Sequence, residues 1–497
     1  MAKIIIVGGG VAGLSAGIYA QLNGHHAVIC EKNPILGGNL TGWQRGEYHI
    51  DNCIHWLTGT NPASASYKMW EELGVLGNID IYQGNTLYTY EQGDKKLSLH
   101  RDINTLEREM LALSPEDKSE IQDFIKAIKI VQYICSIGGP NNNEKSTNLQ
   151  KLLSLPVIVK YHRLSTKELS SRFKSPLIQG FLSTFIGEEF SSLALIAVFA
   201  HFCGENGGIP KGSSLAMAQR MTARFIELGG TVLASKEVMH IETRGDLAAC
   251  VTFVDGTQEH GDYFIITTDP QITFGKIINC AMPKCLSKLY NNKKLFRFSS
   301  YHCAFSCDTD ELPFKGDLIF EIPHEFCDKL HSRHLTLREF SHEKDFAPSG
   351  KSIIQSLVFL SADEAKKFIL LKGHTVKYQE KKKELAALTE ELIVAHFPEL
   401  CGKLKCIDVW TPASYKRYVN SEIGSYMSFI IAPGYLPVGK RYRLHNFKNV
   451  FLATQWQQPP GGLPIAAEVG KIAVTEICKL EKQFEKKRQK LKVKATS

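Results

Sequence analysis

The sequence predicts an α/β protein built on a largely parallel sheet, and three features near its start carry that reading. Lys3 to Val7 is a continuous apolar run, as in a central parallel strand covered on both faces. Gly8, Gly10 and Gly13 follow in G-x-G-x-x-G spacing and open a helical stripe of Leu14, Ile18 and Leu22. A second strand, residues 27–30, ends on the acid Glu31. Strand, glycine turn, helix and acid together make the Rossmann dinucleotide-binding pattern.

Each residue of the turn has its own task. Gly8 permits the sharp exit from the strand, Gly10 admits a pyrophosphate where a Cβ would stand, and Gly13 brings helix and strand into contact. Val11 and Ala12 open the helix, whose unpaired N–H groups and positive dipole end suit phosphate. Gly17 permits close packing on the sheet. Glu31 is placed to accept both ribose hydroxyls, which selects an unmodified 2′-hydroxyl: FAD or NAD rather than NADP. A second glycine pair, Gly37 and Gly38, follows Lys32 and precedes Asn39 and Leu40. A simple NAD domain has no use for it. FAD proteins of the glutathione-reductase type bring backbone close to the flavin there.

Residues 37–60, GGNLTGWQRGEYHIDNCIHWLTGT, resemble the phytoene desaturase and retinol saturase branch of the flavin amine-oxidase superfamily. That pattern is a glycine pair, a strand, then an aromatic-x-Asp-x-Gly-like turn, at whose positions Tyr48, Ile50 and Asp51 stand. The resemblance continues in GIPKGS (208–213), in the hairpin VTFVDGTQEHGDYFIITTDP, in DVWTPASYKRY and GSYM, and in NVFLATQWQQPPGGLPIAAEVG (449–470). Only residues 90–200 and the last twenty lack a strong match. There are two departures from the pattern. Asn39 stands where Arg is common, and Thr454 and Gln455 stand where Gly-Asp or Gly-Glu binds ribitol. Gln455 retains the ability to hydrogen-bond there.

The resemblance implies a glutathione-reductase-type Rossmann FAD-binding domain, discontinuous in sequence, with an inserted α+β substrate domain. Residues 1–85, 205–275 and 445–480 are assigned to the first. Residues 86–204 and 276–444, with a helical lid, go to the second, and 481–497 form a basic C-terminal tail. FAD contacts are implied for Gly8, Gly10, Val11, Ala12, Gly13, Glu31, Lys32, Gly38, Asn39 and Leu40. His55 and Trp56 would lie beside the flavin ring, the Val238 backbone at the adenine, and Gln455, Leu463 and Pro464 in the closing strand–loop–helix.

Within the substrate blocks, Ser114, Pro115 and Glu116 start a helix with Asp117 in its first turn. Residues 138–145 read as a loop. Residues 152–164 and 176–185 are apolar segments. Leu193, Ile196, Ala197 and Ala200 share one helical face, as ordinary core or as a greasy lid. Residues 299–307 and 352–360 have strand character. Residues 377–397 read as a helix with Leu385, Leu388, Leu392 and Val394 among its apolar positions.

No Ser-His-Asp or metal-ligand constellation stands out, as expected where a flavin supplies reactivity and the protein supplies shape and electrostatics. Hydride exchange needs the reacting carbon in a water-poor cavity and one acid or base for the accompanying proton. His55 in DNCIHWLTG is the first candidate; the alternative is a hydrogen-bonded packing histidine. Tyr426 in GSYM and Tyr415 come next, each alternatively a buried tyrosine with its hydroxyl bonded. Asp51 is assigned to binding backbone N–H groups. The implied function is FAD-dependent insertion or saturation of a carbon–carbon double bond in an apolar polyene, isoprenoid or related lipid. One alternative is an amine or porphyrinogen oxidase on the same scaffold, with Trp456 near the ring. Another is a non-catalytic prenyl-binding escort resembling Rab GDP-dissociation inhibitors; the intact glycines and Glu31 argue against it.

Composition agrees with a large folded protein. Hydrophobic residues make up 43% and charged residues 22%, which excludes disorder and a disulfide-stapled mini-fold. Of the net charge of +8, residues 479–494 carry +6, with eight Lys/Arg against two Glu. A nucleic-acid-binding surface is not implied. A basic tail is, and with an apolar patch of Leu152, Leu153, Val157 and Ile158 it suggests peripheral membrane contact for a chain otherwise expected in the cytoplasm. The thirteen cysteines lack CxxC spacing and are odd in number, as for reduced thiols. The apolar residues 193–202 fall short of the ~20 needed to span a bilayer. The apolar start is read as a phosphate-binding turn and not as a signal peptide.

Overall fold

The structure, a computed structural model, describes residues 1–137, 144–435 and 442–496. Lys3–Val7 is the middle strand of a five-stranded sheet in the order Thr231–Leu233, His26–Cys30, Lys3–Val7, Tyr263–Ile266, Val450–Leu452. Every neighbouring pair is parallel. Three separated stretches of sequence thus supply one sheet. Its middle strand is buried on both faces, and the two-residue period divides the work. Ile4 and Ile6 pack with the helices Val11–Leu22 and Ser213–Glu227. Ile5 and Val7 pack against a three-stranded antiparallel sheet of Val238–Arg244, Leu247–Phe253 and Gln258–His260.

The glycine turn is set by two close approaches. Gly8 has φ +102°, a conformation that disfavours side chains. A Cβ on Gly13 would stand 1.9 Å from the Gly8 carbonyl oxygen. The last helix, Leu463–Thr496, packs on Val11–Leu22, where Ser15 Oγ donates to the Ala467 carbonyl at 2.6 Å. A Cβ on Gly470 there would come within 2.4 Å of the Ala12 oxygen.

A second sheet has eight strands. Its path runs Leu404–Trp410, Leu295–Cys307, Ser352–Ser361, His334–Glu339, Asp317–Glu321, Thr86–Gln92, Lys95–His100, and Ser425–Ile431 also pairs with Leu295–Cys307. All its pairs are antiparallel except Asp317–Glu321 with Thr86–Gln92. Helices Lys118–Ile137, Pro176–Thr184 and Ser192–Cys203 cover its end, where Phe124, Phe181 and Phe199 pack with Tyr88.

Several expectations shift. Pro115–Asp117 is a separate 3₁₀ turn before the helix Lys118–Ile137. Buried Asp117 accepts from Ser114 Oγ and from the Lys174 N–H, both at 2.7 Å, so it ties two segments together. The buried face of Ser192–Cys203 carries Leu195, Ile196, Phe199 and Ala200, while Leu193 and Ala197 are only half-buried. Of the loop expected at 138–145, residues 138–143 lie outside the described residues. The apolar patch also moves. Val157 is buried and Leu153 half-buried; the exposed row on Glu144–Tyr161 is Leu152, Leu155, Ile158 and Val159. The helix Leu463–Thr496 runs unbroken through the boundary expected at 480/481. Among the described residues no helix is long and apolar enough to cross a membrane, and no cluster of His, Cys, Asp or Glu could hold a metal ion.

Candidate cofactor cavity and active site

A cavity of about 640 Å³ starts at the glycine turn, passes Gly38 and Asn39, and ends on the face of the eight-stranded sheet. At its start, a Cβ added to Gly10 would meet no protein atom closer than 3.9 Å. The space beside Gly10 belongs to the cavity. Val11, Ala12 and Gly8 also line it; Gly13 does not, and acts only by allowing the turn to close.

Glu31 does more than was expected of it. Its Oε2 accepts from the Gly9 N–H at 2.8 Å, and its Oε1 from the Asn33 N–H at 2.9 Å and Asn33 Nδ2 at 2.8 Å. A carboxylate has about four lone-pair sites, so one remains for a ribose hydroxyl, not two. The mouth is held by the helix Pro412–Val419. Lys32 Nζ donates to the Arg417 carbonyl at 2.5 Å, and Asn33 Nδ2 to the Tyr418 carbonyl at 2.9 Å. Burial lowers the Lys32 pKa. Val238 lines the cavity beside Lys236 and Glu237.

Further in, Asn39 Nδ2 donates to the Ser425 and Tyr426 carbonyls at 3.3 and 3.2 Å. Among the described residues Asn39 Oδ1 is buried with no hydrogen-bond partner, on a residue that lines the cavity. An unpaired buried acceptor carries a cost that a bound donor would remove. Gln455 Oε1 accepts from the Gly462 N–H at 2.9 Å, so its amide nitrogen is the part left to donate. Leu40, Leu463 and Pro464 complete this stretch of wall.

The deep end is built from the aspartate turn and the sheet. Asp51 has the structural role expected: Oδ1 accepts from the Ser214 N–H and Oδ2 from Ser214 Oγ, both at 2.8 Å. Ser214 Oγ in turn accepts from the Ile54 N–H at 2.8 Å. This clamp directs the next residue, His55, into the cavity. His55 Nδ1 lies 2.9 Å from Asp317 Oδ2, and among the described residues Nε2 has no protein partner. Asp317 and Arg338 are direct cross-strand neighbours, with Arg338 Nε 3.5 Å from Asp317 Oδ1. Burial pushes Asp317 up, but His55 and Arg338 outweigh it and hold the carboxyl below its ordinary range.

The tyrosines divide. Tyr426 lines the cavity, and its hydroxyl donates to the Cys53 carbonyl at 3.4 Å. Burial raises its pKa far above the usual value, so it can act only as a neutral phenol. Tyr415 does not line the cavity. Its hydroxyl sits in a buried network, donating to Asn52 Oδ1 at 2.9 Å and lying 3.0 Å from His302 Nε2. Burial pushes the Cys53 thiol up to about 12, which keeps it protonated.

Sequence reasoning missed Asp317, Arg338, His201 and most of the apolar wall. His201 Nδ1 is paired with Asn206 Nδ2 at 3.0 Å, and burial lowers its pKa. Trp56 packs on Phe185 at 5.5 Å, and Phe298, Phe359, Ile319 and Leu357 extend an apolar surface from the large sheet. The one available signal was charged residues within two otherwise largely apolar strands, DLIFE and HLTLRE.

Residues 6–73 match the model of the NAD(P)-binding Rossmann-like domain family. Over 510 residues the chain is 23% identical to the 4,4'-diapolycopen-4-al dehydrogenase of Metabacillus indicus, covering 96% of each. It is 23% identical to the lycopene-forming phytoene desaturase of Paracoccus sp., covering 93% of this chain and 94% of that one. The similarity to these two enzymes spans 93–96% of this chain. A redesigned putrescine oxidase shares the fold, with a TM-score of 0.58 over 96% of this chain and 98% of that one at 12% identity.

Proposed function

We propose that the chain is an FAD-dependent oxidoreductase that desaturates or saturates carbon–carbon double bonds of an apolar polyene or isoprenoid-like lipid. The observation that carries this is a single cavity running from the phosphate-type turn to an apolar wall with one His–Asp pair on it. Whole-length similarity to enzymes named for polyenes supports the substrate class. The putrescine oxidase likeness, at 12% identity, speaks only for the scaffold.

The residues present fit FAD. Gly10 leaves room that no side chain fills, Glu31 keeps one acceptor site, and Asn39 Oδ1 awaits a donor. Gly8, Val11 and Ala12 would hold the pyrophosphate, Glu31 and Lys32 the ribose end, and Val238 the adenine. Gly38, Asn39, Leu40, Gln455, Leu463 and Pro464 would hold the flavin end. Bound flavin would supply hydride acceptance or donation. The chain would supply a dry, aromatic-walled space for the lipid and a group for the accompanying proton. On this reading the parallel sheet carries the cofactor and the eight-stranded sheet with its helices carries the substrate.

Denaturing the purified full chain is expected to release FAD, identified by its absorption and mass. Release of NAD, or of no dinucleotide, would overturn the cofactor assignment.

A further inference from the structure

We propose that Asp317 is the positioning residue for His55: it holds the imidazole with Nε2 toward the cavity, where that nitrogen exchanges the proton that accompanies hydride transfer. This rests on the functional reading above and extends it to one atom.

The sheet register explains the placement. Strands Asp317–Glu321 and His334–Glu339 pair so that Asp317 faces Arg338 and Ile319 faces Thr336. Side chains two apart share a face. Asp317, Ile319 and Thr336 therefore lie on one side, and all three line the cavity. A carboxylate on an otherwise apolar wall is expensive unless paired. Here Arg338 is near Oδ1 and His55 bonds Oδ2. With Asp317 ionised, His55 Nδ1 must carry the hydrogen of the shared bond, which leaves Nε2 as the lone-pair nitrogen. Three other polar side chains nearby have hydrogen-bond partners. His302 is bonded to Ser300 and Tyr415, Tyr426 to the Cys53 carbonyl, and His201 to Asn206.

For each double bond formed, two hydrogens leave adjacent carbons. Bound oxidised flavin, as proposed above, would accept one of them as hydride with its electron pair. The other goes as a proton to His55 Nε2, which makes the ring an imidazolium, while the Nδ1 hydrogen stays on Nδ1 and keeps its bond to Asp317. In the saturating direction, both transfers reverse.

Asp317→Asn tests this. Arg338 will retain the amide oxygen, which turns the –NH₂ toward His55 and makes Nδ1 an acceptor. The ring proton then moves to Nε2 and blocks the lone pair. Turnover is expected to fall about 10²–10⁴-fold with flavin content and KM unchanged. Nitrogen NMR of the ¹⁵N-histidine-labelled full chain gives a second readout: Nδ1–H in the wild type and Nε2–H in the variant. An active Asp317→Asn protein, or one with the wild-type tautomer, would overturn the inference. If that variant does not fold, the wild-type spectrum decides alone, and an Nε2–H tautomer for His55 would overturn it. A wild-type chain without flavin would instead defeat the functional reading, an outcome that the NMR result does not depend on.

Discussion

Gly10→Val is expected to empty the cavity of flavin and leave the fold standing. The protein itself has room at this position, since a Cβ there is 3.9 Å from its nearest neighbours, Gly37 O and Gly38 Cα. A branched side chain would instead occupy cavity space at the helix N-terminus, where the pyrophosphate must come closest to backbone. Flavin-to-protein ratio and circular dichroism, measured together, separate the two effects. Full flavin loading in the folded variant would remove the phosphate-site assignment. Glu31→Ala should be milder for the ligand, because one charge-assisted bond to a hydroxyl is worth about 1.5–3 kcal/mol. It should also loosen the turn, because Gly9 and Asn33 lose the acceptor they share.

The second large effect is on the rate. His55→Ala should lower turnover by about 10²–10⁴-fold, the usual contribution of a positioned proton-transfer group. Flavin should remain bound, since His55 is anchored on Asp317 and the turn before it is clamped by Asp51 and Ser214. Wild-type turnover in a flavin-loaded variant would return His55 to a packing role. Tyr426→Phe is the natural control at the same wall, removing one long hydrogen bond from a neutral phenol.

The strand–turn–helix at the start of the parallel sheet was legible in the sequence because its physics is local. Strand, turn, helix and Glu31 fall within the first 31 residues, and Gly13 answers a contact with Gly8, five residues before it. The His55–Asp317 pair was not legible, because it is assembled by long-range pairing. Asp317 lies 262 residues from His55 in sequence, and its partner Arg338 is fixed only by strand register. Helix faces were also misread where the composition was uniform. Ser192–Cys203 is apolar almost all round, so its periodicity could not choose Leu195 and Phe199 over Leu193 and Ala197. The same holds for Glu144–Tyr161, where Leu155 and Val159 face outward and Val157 inward. Tyr415 had the right residue type in a segment thought to line the cavity, yet its hydroxyl is taken up by Asn52, His302 and Trp410.

The most direct test is an anaerobic half-reaction. Full chain loaded with oxidised FAD is mixed with a partly saturated polyene, and in parallel the reduced protein is mixed with a fully conjugated one. In one of the two mixtures the flavin band should change its redox state while the polyene band shifts, to longer wavelength with the oxidised protein or to shorter wavelength with the reduced one. Unchanged polyene spectra in both mixtures, with the flavin bleached instead by an amine or a porphyrinogen, would contradict the assignment of this chain to polyene chemistry.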